Sequence, residues 1–545
     1  MKKLCFILMA CVLIFGTMQC KKNDETNKPE NNGESVFITL TVGGGSRANV
    51  VPEDDIAPVY YAEGDMIHVV SDGKYIGTLT YNGSDFTGDI TNPTEGQPLH
   101  FYFLGNVTPN ESLVVGETST CSVVISDQTT SHPVISYAPS TVNYSVGTTN
   151  YAATLLNKCA LVKFNVTTVS ENATCITGIN NKVTVDFETN EFGYSQEGDG
   201  IITLSAGEGE KWVILLPQDE TSQTEAHSAD GLYTGSCASI PTIAENDYQV
   251  NGITVDIDHP MGTINGLFTI NANGGRVYFS QGNLQYQSST NTWRFAENQW
   301  DYVGSTCPQN GQPNGTVYGS SNHLISPNYS GWIDLFGWGT SGYNHGAVCY
   351  QPWSTSGTSS DYFAYGNEYY NLYDQTGLAD WGYNIISNGC GQTNQWRTLT
   401  SEEWDYVINT RNTLSNIRYA IAQVNNVNGI ILLPDDWNTS LYSLYSTNVY
   451  NALYNSNIIS VSQWQVLESN GAIFLPAAGW RGSLGIYCQV PGDEGYYWSS
   501  SYAVYSIPRA HIISFNNKNI GCYGLHTNGM DNRGWANSVR LVQDF

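Results

Sequence analysis

From Val36 to Leu216 the chain is written in short runs whose apolar and polar residues alternate, separated by Gly, Asn, Asp or Pro. Successive side chains of a strand point to opposite faces, so a period of two puts one face on a core and the other in water. Such runs include Val36-Phe37-Ile38-Thr39-Leu40-Thr41-Val42, Met66-Ile67-His68-Val69-Val70, Tyr75-Ile76-Gly77-Thr78-Leu79-Thr80-Tyr81 and Leu99 to Leu104. A second set, Ala160 to Val166, Val183 to Phe187 and Trp212 to Pro217, follows a Ser/Thr/Tyr-rich stretch near 139–150. With turn residues at this spacing, two β-sandwiches in series are predicted, at 36–145 and 146–262. The 54 Gly and 19 Pro among 545 residues oppose a helical bundle, and 41% apolar content opposes a disordered chain.

Composition changes at Asp258-His259-Pro260. Thirteen of the 14 Trp lie beyond it, and Lys518 is the one lysine left. A different domain, 263–545, is expected to start there. Gly266 to Ile270 and Val277 to Ser280 flank Asn273-Gly274 as a hairpin, and Ser538-Val539-Arg540-Leu541-Val542 reads as the last strand. Helical signal is confined to two pieces. Thr400 and Glu403 have capping-box spacing before Trp404, Val407 and Ile408, and Ser462 to Asn470 repeats the idea with Trp464 and Leu467. Arg418 to Val424 and Gly429 to Leu433 are predicted to form a hairpin beside them.

The 49 acidic against 21 basic side chains give a formal charge of −28, which rules out nucleic acid as a partner. Residues 1–19 read as an export signal: Lys2 and Lys3, then an uncharged apolar run from Cys5 to Met18, too short to span a bilayer. Cys20 follows that run and precedes Lys21, Lys22, Asn23, Asp24 and Glu25, which marks it for lipid modification. This pattern resembles a bacterial lipoprotein signal, and the charges after the Cys look like the surface-export signal of Bacteroidetes lipoproteins. Residues 20–35 are then a lipidated flexible stalk, and the remainder an ectodomain held at the outer membrane by its anchor alone. Nine cysteines lie beyond Cys20 without CxxC or Cys/His zinc spacing. Mostly buried thiols are expected, and no disulfide is assigned.

Glu63-Gly64-Asp65-Met66-Ile67, Gly77 to Tyr81, Phe86, Phe101-Tyr102-Phe103 and Asn157-Lys158-Cys159-Ala160-Leu161-Val162-Lys163-Phe164 resemble the fimbrillin-like (Mfa-like) proteins of Bacteroidetes over about 36–260. The resemblance implies two transthyretin-like β-sandwiches. Arg47, in Gly43-Gly44-Gly45-Ser46-Arg47-Ala48, is the only Arg before Arg276. In fimbrial subunits of that family an arginine-directed protease removes the first strand, and a donor strand from another subunit fills the slot. The resemblance therefore implies cleavage between Arg47 and Ala48; the other reading of Arg47 is an ordinary surface residue in a loop.

Trp396-Arg397-Thr398-Leu399-Thr400-Ser401-Glu402-Glu403-Trp404, then Tyr496-Tyr497-Trp498-Ser499-Ser500-Ser501, then Ser538-Val539-Arg540-Leu541-Val542 look like the C-type-lectin-like fold over about 264–545, in the branch that includes formylglycine-generating enzymes. The resemblance implies an α+β domain whose terminal strands pair, Gly266 to Ser280 beside Val539 to Val542. Catalysis does not carry over, because Cys488 and Cys522 do not sit in the family's cysteine motif. Gln312-Pro313-Asn314 only partly echoes a calcium-lectin triplet and reads as a turn. His345 with Cys349, and Asp435 with Asp436, each lack a third group for a site. No Gly-Xaa-Ser-Xaa-Gly, HExxH or P-loop is present.

No enzyme, cofactor or metal is therefore expected, and recognition by side chains remains. The segment between the closing motifs carries Tyr502, Tyr505, Arg509, Asn516, Tyr523, His526, Asn528 and Arg533, with His511, Asn517 and Asp531 among them. Rigid aromatics mixed with adaptable polar groups are the composition of a ligand-binding surface. They are also what dresses an exposed β-rich surface. Trp332, Trp338 and Trp353 suit sugar stacking or a core, and the core is preferred. The reading is mainly β: a surface lipoprotein with two fimbrillin-like sandwiches and a lectin-like head, acting as an adhesin at a pilus tip or as an accessory subunit. Its expected partners are other pilin subunits by strand donation and an unidentified glycan or protein ligand. The alternative is a stationary glycan-binding lipoprotein of a polysaccharide-uptake system.

Overall fold

The computed structural model describes residues 33–43, 61–130, 132–139, 142–222, 224–302, 316–317, 325–343, 350–482, 488–504, 507–516 and 526–545. Cys20, Arg47, Ala48, Gln312 to Asn314, His345, Cys349, Tyr505, Asn517, Cys522 and Tyr523 lie outside them. The protein is mainly β.

The first sheet runs, in spatial order, Asn150–Ala153, Ser35–Val42, Phe86–Thr91, Lys74–Tyr81, Met66–Ser71, Pro98–Leu104, Ile135–Tyr137 and Leu156–Asn157. Its strand Ser35–Val42 is interior, antiparallel to Phe86–Thr91 and parallel to Asn150–Ala153. The alternation in its sequence is realised as Ile38 and Leu40 at 0% exposure while Phe37 is solvated. Side chains buried this way contribute about 1.5–3 kcal/mol each. Tyr61 packs edge-on against Phe86 and Phe103, with centroids 5.0 and 5.4 Å away.

A three-stranded sheet of Glu191–Ser195, Lys182–Asp186 and Thr120–Val124 closes over the same core through Val183, Val185, Cys121 and Val123. The run at Val183, read from sequence as part of the second sandwich, thus covers the first. The second large sheet contains Gly209–Leu215, Ala160–Thr168, Tyr248–Pro260, Tyr233–Cys237, Thr224–Ser228, Thr174–Ile176, Ile202–Leu204 and Asp127–Gln128. Its core holds Val162, Phe164, Val213, Leu215, Val255 and Ile257. The sheets interleave across residue 145. Asn150–Ala153 and Leu156–Asn157 complete the first, and Asp127–Gln128 crosses to the second.

Beyond residue 262, Thr263–Thr269, Arg276–Ser280, Leu541–Asp544 and Arg397–Thr398 form one sheet. Phe279 pairs with Val542, so the two ends of this region lie side by side. The turn at Asn273-Gly274 is held by Asn271, whose side chain accepts from the backbone N–H of Asn273 and Gly275. Tyr419–Val424 and Val427–Leu432 form a hairpin, with Asn425 and Asn426 both at positive φ, as a two-residue primed turn requires.

The helix Ser401–Asp405 starts at a capping box. Thr400 Oγ1 accepts from the Glu403 N–H at 3.2 Å, and Glu403 accepts from the Thr400 N–H at 2.8 Å. One π-helical turn, Tyr406–Thr410, extends it. The second helix, Val461–Glu468, begins upstream of the expected Ser462, because Ser460 and Gln463 make the box there. Trp338, Trp381, Trp404, Trp437, Trp464 and Trp498 are fully buried and Trp293 and Trp396 nearly so, which places most of the region's tryptophans in its core.

No disulfide links the described cysteines; Cys121, Cys159, Cys175, Cys237 and Cys488 are buried and Cys390 is half-buried. No helix among the described residues is long and apolar enough to cross a membrane.

Candidate functional site

Glu494–Val504, Pro508–Asn516 and His526–Asn532 form an antiparallel sheet at the end of the region. Alternation sorts its side chains. Tyr497, Ile513 and Phe515 point into a core with Phe268, Phe279 and Trp404, while Glu494, Tyr496, Ser514, Asn516 and Asp531 line a pocket of about 380 Å³ on the other side. Register sets the neighbours: Glu494 stands opposite Asn516, Tyr496 opposite Ser514, and Ile512 opposite Gly529. Gly529 packs tightly on the floor, since a Cβ there would come within 2.9 Å of Ile512. Gly495 is required for another reason: a Cβ on it would meet the Phe515 ring at 2.2 Å.

Trp535 supplies one wall and is stacked on Trp480, with centroids 4.3 Å apart and planes 29° apart. Tyr496 stands edge-on to Trp480 and donates its phenol proton to Glu494. Asp531 is 4% exposed and accepts from the Asn532 N–H at 2.9 Å and from Asn537 Nδ2 at 3.2 Å. Burial pushes its carboxyl up to about 6 against those hydrogen bonds and the Arg509 charge. Burial, the bond to Glu494 and the Asp531 charge push the Tyr496 phenol well above its usual range. Asn516 is 7% exposed, and its side-chain oxygen has no hydrogen-bond partner. The arrangement offers π faces and oxygen acceptors in a partly desolvated cleft. Among the described residues no group of three or more His, Cys, Asp or Glu is placed to hold a metal.

Of the residues singled out in the sequence, only Asn516 and Asp531 enter this pocket. Tyr502 is half-buried, edge-on to Tyr369 at 6.3 Å, and its N–H donates to Asn371. Arg509 donates to the Met530 carbonyl at 3.1 Å, and His511 is half-buried, its imidazole pKa lowered by burial. His526 and Asn528 lie in the third strand.

Arg533 corrects the sequence reading. It is 0% exposed, donates to the carbonyls of Arg509 and Glu368, and lies 4.5 Å over the Trp338 ring, so it braces the sheet from within and presents nothing to a ligand. The sequence marks Tyr496 only as part of a strand motif, and Glu494, Trp480 and Trp535 not at all. The signal for Tyr496 was available, because in Tyr496-Tyr497 one ring must face out if the other faces in. Trp338 is core, as expected, and Trp332 carries the Arg294 guanidinium 3.8 Å over its ring.

A larger cleft of about 510 Å³ lies between strand Tyr248–Pro260 and helix Val461–Glu468. Its charged groups are already matched: Asp258 meets His259 Nδ1 at 2.6 Å and Asn265 Nδ2 at 2.5 Å, and Glu468 accepts from Gln299 at 2.8 Å. It has no aromatic wall, so the smaller pocket is the better candidate.

No family model and no curated protein matches the chain. Among solved structures it is similar to a candidate cell adhesion protein from Bacteroides uniformis, at 12% identity over 42% of this chain and 95% of that one, with a TM-score of 0.28. It is similar also to a fimbrial assembly protein from Parabacteroides distasonis, at 11% identity over 46% and 96% of the two chains, with a TM-score of 0.24. A candidate adhesin from Bacteroides ovatus matches at 12% identity over 45% and 92%, with a TM-score of 0.24. At these scores the likeness carries no argument about mechanism.

Proposed function

We propose that this chain is a cell-surface adhesin, delivered to the surface on a lipid at Cys20, whose two β-sandwiches accept a strand from a pilin once the segment up to Arg47 is cut away, and whose C-terminal region is a lectin-like, non-enzymatic binding head. The observation that carries the reading is the place of the first strand. Ser35–Val42 is hydrogen-bonded on both sides and buries Ile38 and Leu40 completely, yet it precedes Arg47. Cutting after Arg47 frees it, and its loss leaves an apolar slot between two unpaired edges, which is what a donated strand fills. At the other terminus, Leu541–Asp544 lies between Arg276–Ser280 and Arg397–Thr398. A strand paired on both sides is not available for donation, so this one is part of the head and not a donor.

The test is limited digestion with an arginine-specific protease, followed by a synthetic peptide spanning residues 35–42. An Arg47→Ala chain should resist cleavage, and the cut chain should lose its first strand and bind the peptide tightly enough to survive native mass spectrometry. A cut chain that keeps its own strand and takes no peptide overturns the proposal. A stationary glycan-binding lipoprotein is the second reading, favoured by the Trp480–Trp535 stack beside a pocket.

A further inference from the structure

We propose that the pocket between Glu494, Asn516, Asp531 and Trp535 binds an organic ammonium group, carried on a chain or ring small enough for about 380 Å³. The inference deepens the binding-head reading and rests on it.

Three observations converge on that chemistry. Among the described residues the lining contains two carboxylates, Glu494 and Asp531, and no Lys, Arg or His. The nearest described cation acting on Asp531 is Arg509, whose Nη1 is turned to the Met530 carbonyl. Negative charge in a cleft with low-dielectric walls focuses the field and favours a cationic guest.

The second observation is Asn516. A side-chain oxygen that is buried, lines the pocket and accepts nothing asks for a donor. An ammonium brings three N–H donors and no acceptor, which suits a site whose carboxylates and amide oxygen are acceptors. A neutral pyranose can donate hydroxyls to the same acceptors but brings no positive charge to the two carboxylates. A sialylated or sulfated glycan would add repulsion.

The third is the wall. Trp535 is held in place by Trp480, and Tyr496 is fixed by its bond to Glu494. Cations are attracted to the faces of such rings, tryptophan most of all, and the attraction grows when water is excluded. Met530 adds a polarizable side chain at the rim.

The ammonium can come from a lysyl side chain or from an amino sugar. The experiment uses the intact chain labelled at its methionine methyl groups with ¹³C. Met530 is one of six methionines and lines the pocket, so its signal reports occupancy. N-acetyl-lysine methylamide, glucosamine and N-acetylglucosamine are titrated in turn. A saturable shift with either amine, and at least tenfold weaker binding of N-acetylglucosamine, is expected; which amine binds more tightly identifies the source. Glu494→Gln and Asp531→Asn should each weaken the amine at least tenfold while a cooperative thermal transition and a methyl spectrum dispersed like the parent's confirm folding. Equal binding of N-acetylglucosamine, no saturable shift with either amine, or full affinity in both folded variants overturns the inference. A cell-surface binding array run alongside separates the two proposals. Array binding that survives both substitutions keeps the head and removes the ammonium site, whereas amine binding with a blank array keeps the site and removes the head.

Discussion

Asp435 Oδ1 accepts a hydrogen bond from Arg411 Nη1 at 2.7 Å, and Arg411 is fully buried. The other carboxylate oxygen takes the Thr269 N–H and hydroxyl at 2.8 and 2.6 Å. Arg411 also donates to the carbonyls of Val407, Arg418 and Leu433 and lies over the Phe268 ring. One ion pair therefore ties the π-helical turn, the hairpin and the opening strand of the C-terminal region together.

Breaking such a pair from one side leaves a buried charge without its partner, which costs about 3–5 kcal/mol. Burial already lowers the Arg411 pKa to about 10, with Asp435 holding it up. Asp435→Ala is expected to lose that amount in urea unfolding, whereas the exposed neighbour Asp436→Ala should stay within about 0.5 kcal/mol of the parent. Equal effects at the two positions would show that the pair with Arg411 contributes nothing measurable.

His68 gives the first sandwich an acid-sensitive term. It is 6% exposed, Nδ1 lies 2.9 Å from Thr78 Oγ1, and burial lowers its pKa to about 4. The unfolded chain takes up that proton near pH 6.5, before the folded one does, so the full contribution is present above pH 6.5 and is lost as the pH falls toward 4. A shift of this size corresponds to at most about 3 kcal/mol. His68→Gln should flatten the dependence over that window. Burial shifts His100 and His132 the same way, so a remainder persists. A variant with the parent's slope in thermal unfolding at pH 7 and 4.5 would exclude this origin.

What the sequence discloses and what it conceals divide along a physical line. Period-two runs, the Asn273-Gly274 turn and the Thr400–Glu403 box are local, and each is present in the structure. The paired ends, Phe279 beside Val542, were reached through resemblance, since no local signal spans that separation. Buried arginines were invisible: Arg411, Arg481, Arg533 and Arg540 are at 0–2% exposure, although arginine ordinarily marks a surface. Arg533 was accordingly placed on the ligand face, and only the carbonyls of Arg509 and Glu368 explain its position. The pocket gathers Tyr496, Asn516 and Trp535 from separate segments, with Trp480 stacked behind Trp535, and only the tertiary fold brings them together.

The second helix offers a direct check on a boundary. Ser460 Oγ accepts from the Gln463 N–H at 3.3 Å, while Ser462 lies inside the helix. Ser460→Ala should cost about 1 kcal/mol, the usual loss for an N-cap. Ser462→Ala should cost less than half as much, because alanine is the better helix former at an interior position. Chemical denaturation of the two variants decides which serine starts the helix.

Asp531 runs opposite to His68. Its carboxyl is raised to about 6 in the fold, from 3.8, because burial outweighs the bonds from Asn532 and Asn537 and the Arg509 charge. The folded chain holds the proton longer, so stability falls as the pH rises from about 4 to 6 and stays reduced above that. The loss at pH 7 is about 3 kcal/mol, which Asp531→Asn should restore. Asn537 Oδ1 has no partner, so a turned Asn537 amide can accept from the new side chain. Near pH 4 the variant and parent should unfold alike. An amine bound beside the carboxylate supplies the missing charge, so N-acetyl-lysine methylamide should raise the unfolding temperature of the parent at pH 7 and leave Asp531→Asn nearly unmoved. If the variant is no more stable than the parent at pH 7, Asp531 is not the strained group that the pocket geometry makes it.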